Sequence, residues 1–196
     1  GLAAAREGEV WLELCAAPGG KTFQLADAMG RGRIVAVDRP GGRMKRFEEN
    51  VARWRAGGGT TEIALVGSDV LALTAAELAA RELPCQFDGV LIDVPCSNTG
   101  VIRHRVDSKW RLKPGEFEQL AEVQGRMLAA AASFVRPGGR LVYSTCSLEP
   151  EENRQVIEAF LDSEAGRDFV LEDSAQGRPW EHGHDGAGAF RLRRRG

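Results

Sequence analysis

The sequence predicts an α/β domain: a mostly parallel, seven-stranded sheet with helices on both faces. Three observations carry this. Strand-like and helix-like segments alternate four times in succession. Apolar residues make up 43% of the 196 residues, enough for one domain with a full core. The unusual residues collect just behind the apolar runs, where an open parallel sheet binds its ligands.

Taken in order, Val10–Leu14 reads as a buried strand closed by the Ala17–Gly20 turn, and Lys21–Met29 as a helix ended by Gly30. Arg33–Val37 is a β-branched run, followed by a helix over Arg43–Arg55. Glu62–Val66 is the third strand, and Thr74–Leu83 the third helix with Thr74 as N-cap. Phe87–Ile92 is the fourth strand. In Glu116–Val135, residues Phe117, Leu120, Val123, Met127, Ala131 and Phe134 share one stripe at helical spacing. Pro137–Gly139 breaks that helix, and Arg140–Tyr143 is the fifth strand. Pro150–Leu161 reads as a helix with proline in its first turn, where a missing N–H costs nothing. Asp168–Leu171 and Ala189–Arg193 read as closing strands around a loop at Ser174–Gly188.

Composition narrows the function classes. The formal net charge of -2 gives the chain no overall basic character. No apolar run approaches the roughly 20 residues a spanning helix needs, which argues against a membrane protein. The cysteines Cys15, Cys85, Cys96 and Cys146 lie far apart with no CxxC pair, which argues against a zinc site, or any other metal centre, and against a disulfide framework. Reduced thiols point to the cytoplasm.

At the strand ends, the small-residue turn Cys15, Ala16, Ala17, Pro18, Gly19, Gly20 and Lys21 leads into a helix N-terminus, where backbone N–H groups approach a ligand closely. Asp38 follows strand two, where an acidic residue would accept from ribose hydroxyls. Asp69 follows strand three and Asp93 ends strand four. Asp38 and Asp69 would each also serve as a loop or capping carboxylate. Together the carboxylates suggest a nucleoside-containing cofactor that carries positive charge. A dinucleotide site fits less well, since Phe23 stands where G-x-G-x-x-G needs its third glycine.

Cys96 and Cys146 each lie just beyond a strand, in a polar turn. If strands four and five are neighbours, about 4.8 Å apart, both thiols reach one substrate. Cys15 and Cys85 read as inert packing residues.

Three runs then carry a resemblance. Residues 14–22 read Leu-Cys-Ala-Ala-Pro-Gly-Gly-Lys-Thr, residues 93–100 Asp-Val-Pro-Cys-Ser-Asn-Thr-Gly, and residues 143–147 Tyr-Ser-Thr-Cys-Ser, with Pro150-Glu-Glu-Asn153 behind. They resemble the RNA (cytosine-5) methyltransferase family, the Sun/NOL1/NOP2 group that includes bacterial 16S rRNA methyltransferases. The likeness runs from about Val10 to Leu161 and more loosely to Arg194. It implies a class I (Rossmann-like) fold dependent on S-adenosylmethionine, with Cys146 as nucleophile and Cys96 assisting product release. It implies that the Cys15–Lys21 loop holds the methionine part, Asp38 the ribose and Asp69 the adenine side, while Asp93 lines the site. Arg43 matches an arginine common in the family and is equally a helix-surface charge. Lys21 would lower a thiol pKa or hold a charged group.

The chemistry explains the residue types. Carbon 5 of cytosine is a weak nucleophile until a thiolate adds at carbon 6. A base must then take the carbon 5 proton before the thiolate leaves. The chain departs from the usual motif at Asn98, which replaces a glycine and tolerates positive φ.

The chain reads as one catalytic domain, 1–196, expected to act as a monomer. We expect an RNA-binding segment that family members carry ahead of the first strand to be absent. Locally basic residues remain: Arg103, His104, Arg105, Lys109, Arg111 and Lys113 interleave with Trp110, and Arg191–Arg195 closes the chain. Arg103, Arg105 and Lys109 are the expected RNA contacts. Competing readings are a methyltransferase for another substrate and an RNA-binding module that has lost activity.

Overall fold

The computed structural model describes residues 2–106, 110, 112–113 and 115–196. Its seven strands are β1 (Val10–Leu14), β2 (Arg33–Asp38), β3 (Glu62–Gly67), β4 (Phe87–Asp93), β5 (Val135–Thr145), β6 (Phe169–Gly177) and β7 (Ala187–Arg194). They form one sheet in the order β3-β2-β1-β4-β5-β7-β6. β1 to β5 pair in parallel, and β7 runs antiparallel between β5 and β6. The chain order reverses between β1 and β4, and the crevice beyond that reversal is where such sheets bind ligands.

Strand alternation divides the core. Leu12, Leu14, Val35, Val37, Val90 and Ile92 face one side, against α3 (Ala75–Ala79), α4 (Glu116–Ala132) and α5 (Arg154–Leu161) through Leu78, Met127, Leu128 and Ile157. Trp11, Ile34, Ala36, Leu91 and Val142 face the other, against α1 (Gly20–Met29) and α2 (Gly42–Ala56) through Leu25, Met29, Phe47 and Val51. Because β1, β2 and β4 are covered on both faces, they read as continuous apolar runs.

Four segments differ from expectation. The third helix is confined to Ala75–Ala79, capped by the Thr74 hydroxyl as expected. Beyond it Leu83 N–H turns back to Leu78 O and Glu82 is left-handed (φ 57°), ahead of Pro84, which disfavours helix at Leu83. The helix expected to reach Val135 stops at Ala132, because Val135 pairs with Phe87 and β5 absorbs Pro137–Gly139 as an irregularity. The Pro150–Leu161 helix splits into a 3-10 turn (Pro150–Glu152) and α5, since Asn153 leaves helical geometry. The stretch taken as loop is largely structured: β6 runs to Gly177, α6 (Pro179–His182) follows, and β7 starts at Ala187. β6 is an edge strand whose residues after Phe169 are exposed through Gln176, so polar side chains hide its pattern.

Candidate active site

The turn after β1 is held by its own backbone and by β2. Cys15 is left-handed (φ 61°) and Ala16 N–H bonds Val37 O at 3.1 Å. Gly19 has φ 104°, and a Cβ there would meet the Phe47 ring at 2.5 Å, so the position admits only glycine. Asp38 is buried and receives two backbone N–H groups, from Ala17 at 2.8 Å and Arg39 at 2.8 Å. Arg43 donates to Ala17 O and lies 3.6 Å from Asp38. Asp38 thus braces the turn, as a loop carboxylate would, and also lines the cleft.

Asp69 accepts from Leu71 N–H at 2.9 Å and from Arg39 at 2.7 Å. Asp93 accepts from Lys21 at 2.7 Å and from the Ser144 hydroxyl at 2.7 Å. Cys15, Pro18, Asp38, Arg43, Asp69 and Asp93 line one cleft of about 720 Å³ that also takes in Cys96, Cys146 and Arg105. Ala16, Ala17, Gly19 and Gly20 form the turn behind it and are not among its lining residues. Lys21 reaches the site through its ion pair with Asp93. Arg39, Arg46 and Asn98 also line the cleft and were not singled out as cofactor contacts from sequence.

β4 and β5 are hydrogen-bonded neighbours, with Asp93 opposite Ser144. That register brings Cys96 Sγ within 3.0 Å of Cys146 Sγ. The Cys96 thiol donates to Cys146 and holds the Cys146 pKa below the ordinary thiol range; Lys21 adds to this, while burial and Asp93 oppose it. The same contact, with burial, pushes the Cys96 thiol up. Asn98 touches both loops: its Nδ2 donates to Cys96 O at 2.8 Å and its Oδ1 accepts from Cys146 Sγ at 3.1 Å. Cys15, by contrast, is pushed up to about 12, by burial first and then by Asp38 and Asp93, which leaves it unreactive near neutrality.

Sequence reasoning missed two buried acids. Glu13 interrupts the apolar β1 run and is 1% exposed, with Oε2 unpartnered among the described residues. Burial pushes its carboxyl up to about 8. Glu152 lies in the Pro-Glu-Glu-Asn run quoted above, but its contacts with Gln124 and Ser97 lie 28 and 55 residues away, beyond the reach of a local pattern.

Of the expected RNA contacts, Arg105 lines the cleft, while Arg103 pairs with Asp185 at 2.8 Å. Lys109, like Arg111, lies outside the described residues. The closing Arg191–Arg195 run is used within the sheet: Arg191 and Arg193 both pair with Glu172, at 3.1 and 2.7 Å. Gly100 is where the Cys96 loop, the Cys146 loop and the segment before β7 meet. Its N–H bonds Cys146 O at 2.9 Å, its carbonyl takes Gly186 N–H at 2.8 Å, and a Cβ would lie 2.3 Å from Gly186 O.

Comparison with known proteins places this arrangement. Residues 2–185 match the family model described as 16S rRNA methyltransferase RsmB/F. The chain is 38% identical to ribosomal RNA small subunit methyltransferase B of Erwinia tasmaniensis, over 86% of this chain and 37% of that protein. It is also 38% identical to the protein of the same name from Vibrio cholerae, over 93% of this chain and 41% of that one. The chain thus spans about two-fifths of the length of these relatives. The crystal structure of NSun6 from Pyrococcus horikoshii with SFG superimposes with a TM-score of 0.81 at 27% identity, covering 98% of this chain and 50% of that one. The sheet order and the superposition give the class I S-adenosylmethionine-dependent methyltransferase fold, and the chain belongs to the 16S rRNA methyltransferase RsmB/F family.

Proposed function

We propose that this chain is the catalytic part of an enzyme that methylates carbon 5 of a cytosine in ribosomal RNA through a covalent bond from Cys146. The observation that carries the reading is the 3.0 Å approach of Cys96 and Cys146 in a cleft that also holds Asp38, Asp69 and Asp93. Three carboxylates suit a ligand with a ribose, an ammonium and a sulfonium. The residues therefore fit S-adenosylmethionine, which when bound supplies an electrophilic methyl group. The Cys15–Lys21 turn would hold its methionine part, Asp38 its ribose and Asp69 its adenine side, with Asp93 and Arg43 completing the wall.

In the proposed mechanism the Cys146 thiolate bonds carbon 6, and the carbon 5–carbon 6 π pair becomes available at carbon 5. Asp93 contacts the base at N3, held in place by Lys21 and Ser144. Once carbon 5 carries the methyl group, its proton leaves, the π bond re-forms, and the sulfur–carbon 6 bond breaks to return the Cys146 thiolate. Cys96 serves that step. It either takes the proton itself, once its own has passed to solvent, or orients a water that takes the proton and hands it on to solvent. No step needs a metal. Arg103, Arg105 and Lys109 would contact the RNA backbone, and the chain would work as a monomer in the cytoplasm. No helix among the described residues is long and apolar enough to cross a membrane.

The direct test is incubation with small-subunit ribosomal RNA and methyl-labelled S-adenosylmethionine, followed by nucleoside analysis. Label in 5-methylcytidine supports the reading. Label on a base nitrogen, on protein, or nowhere contradicts it.

A further inference from the structure

Glu152 is fully buried, and its carboxylate collects four hydrogen bonds, all from neutral donors. Ser97 contributes two, its N–H to Oε1 at 2.9 Å and its hydroxyl to Oε2. The Ser147 hydroxyl reaches Oε2 at 2.6 Å, and Gln124 Nε2 reaches Oε1 at 2.9 Å. Ser97 directly follows Cys96 and Ser147 directly follows Cys146. One side chain on the segment after β5 thus grips both cysteine loops from beneath, and the two serine hydroxyls lie 3.2 Å apart. Glu152 is itself fixed, since the Tyr143 hydroxyl donates to its carbonyl at 2.7 Å. Its neighbour Asn153 ties down the same loop by donating to Ser147 O at 3.0 Å and Glu149 O at 2.8 Å.

A buried carboxylate is costly unless its lone pairs are filled. A carboxylate takes all four donors at once, two on each oxygen; an amide would set its NH2 against two of them, so that either Ser97 N–H and Gln124 lose their acceptor or both serine hydroxyls must reverse. We infer that Glu152 is a positioning residue, whose buried carboxylate sets the spacing between the Cys96 and Cys146 loops and so holds the two thiols in contact. This rests on the cysteine mechanism proposed above and assigns a device that tunes it. The separation matters because the Cys96 thiol is the largest cause of the low Cys146 pKa. If the loops drift apart, Cys146 reverts toward an ordinary thiol.

The test is Glu152→Gln in the full chain, with iodoacetamide labelling of Cys146 followed by peptide mass mapping across pH. This readout needs neither RNA nor cofactor. The half-labelling pH should rise by about half a unit or more. Adduct formation with RNA containing 5-fluorocytosine should slow by about tenfold or more, while the Kd for S-adenosylmethionine stays within about twofold. An unchanged labelling profile overturns the inference. Should Glu152→Gln fail to fold, Ser97→Ala and Ser147→Ala each remove one hydroxyl from the carboxylate, and the same upward shift is expected. Profiles unchanged in both overturn it equally. A wild-type chain that forms no adduct overturns the methylation reading, and the labelling profile still decides the role of Glu152.

Discussion

Cys96 Sγ lies 3.0 Å from Cys146 Sγ, across the ends of two hydrogen-bonded parallel strands. The contact makes the two thiols unlike. Cys146 receives a hydrogen bond that favours its thiolate, and Cys96 gives that bond and stays protonated. A nucleophile and a proton-handling partner need this difference, and two isolated thiols would not have it.

The first expectation concerns thiol reactivity. A thiol with a lowered pKa is ionised at lower pH, so labelling of Cys146 by iodoacetamide should begin below the ordinary thiol range and rise as pH crosses its pKa. Cys15, pushed up to about 12, should stay unlabelled through neutral pH. Peptide mass mapping distinguishes the sites. Faster labelling at Cys15 would contradict the assignment.

Asn98 gives a second. It stands at φ 63° where the family motif usually has glycine, and its Oδ1 accepts from the Cys146 thiol. That bond favours the protonated form. Asn98→Gly keeps the backbone conformation and should move half-labelling of Cys146 to lower pH; movement to higher pH would contradict the contact. Asn98→Ala should instead cost about 1 kcal/mol of stability, since alanine resists positive φ.

Glu13 makes stability depend on pH. Its carboxyl is raised from 4.5 to about 8 in the folded chain. Below the unfolded value both states are protonated and nothing is lost. As pH rises through that window the unfolded chain ionises first, so stability falls until the folded carboxyl ionises too. Glu13→Gln should therefore unfold in urea much like wild type at about pH 4, and be more stable by about 2 kcal/mol or more at about pH 9. Equal stability at the higher pH would show that Glu13 is not buried as described.

The basic segment after Cys96 separates two arginines. Arg103 is already paired with Asp185, whereas Arg105 lines the cleft. Arg105→Ala should weaken RNA binding and reduce the slope of log affinity against log salt by about 0.7, the value for one single-strand phosphate contact. Arg103→Ala should change the slope less. Binding titrations at several salt concentrations check both, and a slope unchanged in Arg105→Ala would place the RNA elsewhere.

Much of this molecule was legible in its sequence. β1, β2 and β4 are buried on both faces, so their apolar runs stood out, and the carboxylates behind them marked the end of the sheet that carries the cleft. The two cysteines were placed together as soon as β4 and β5 were taken as neighbours. What escaped depends on contacts distant in sequence. Edge strand β6 hid behind its polar residues, and Arg191 and Arg193 read as a basic patch until Glu172 was placed across from them. Glu152 belongs to a recognisable run, yet its role appears only when Ser97, 55 residues away, folds onto it.

The central claim is the bond from Cys146 to carbon 6, and trapping tests it most directly. RNA containing 5-fluorocytosine, incubated with the protein and S-adenosylmethionine, should leave a covalent adduct that maps to the peptide holding Cys146. Cys146→Ala should abolish it, and Cys96→Ala should let a complex accumulate even with ordinary cytosine. An adduct mapped to Cys96, or one that persists in Cys146→Ala, would contradict the account.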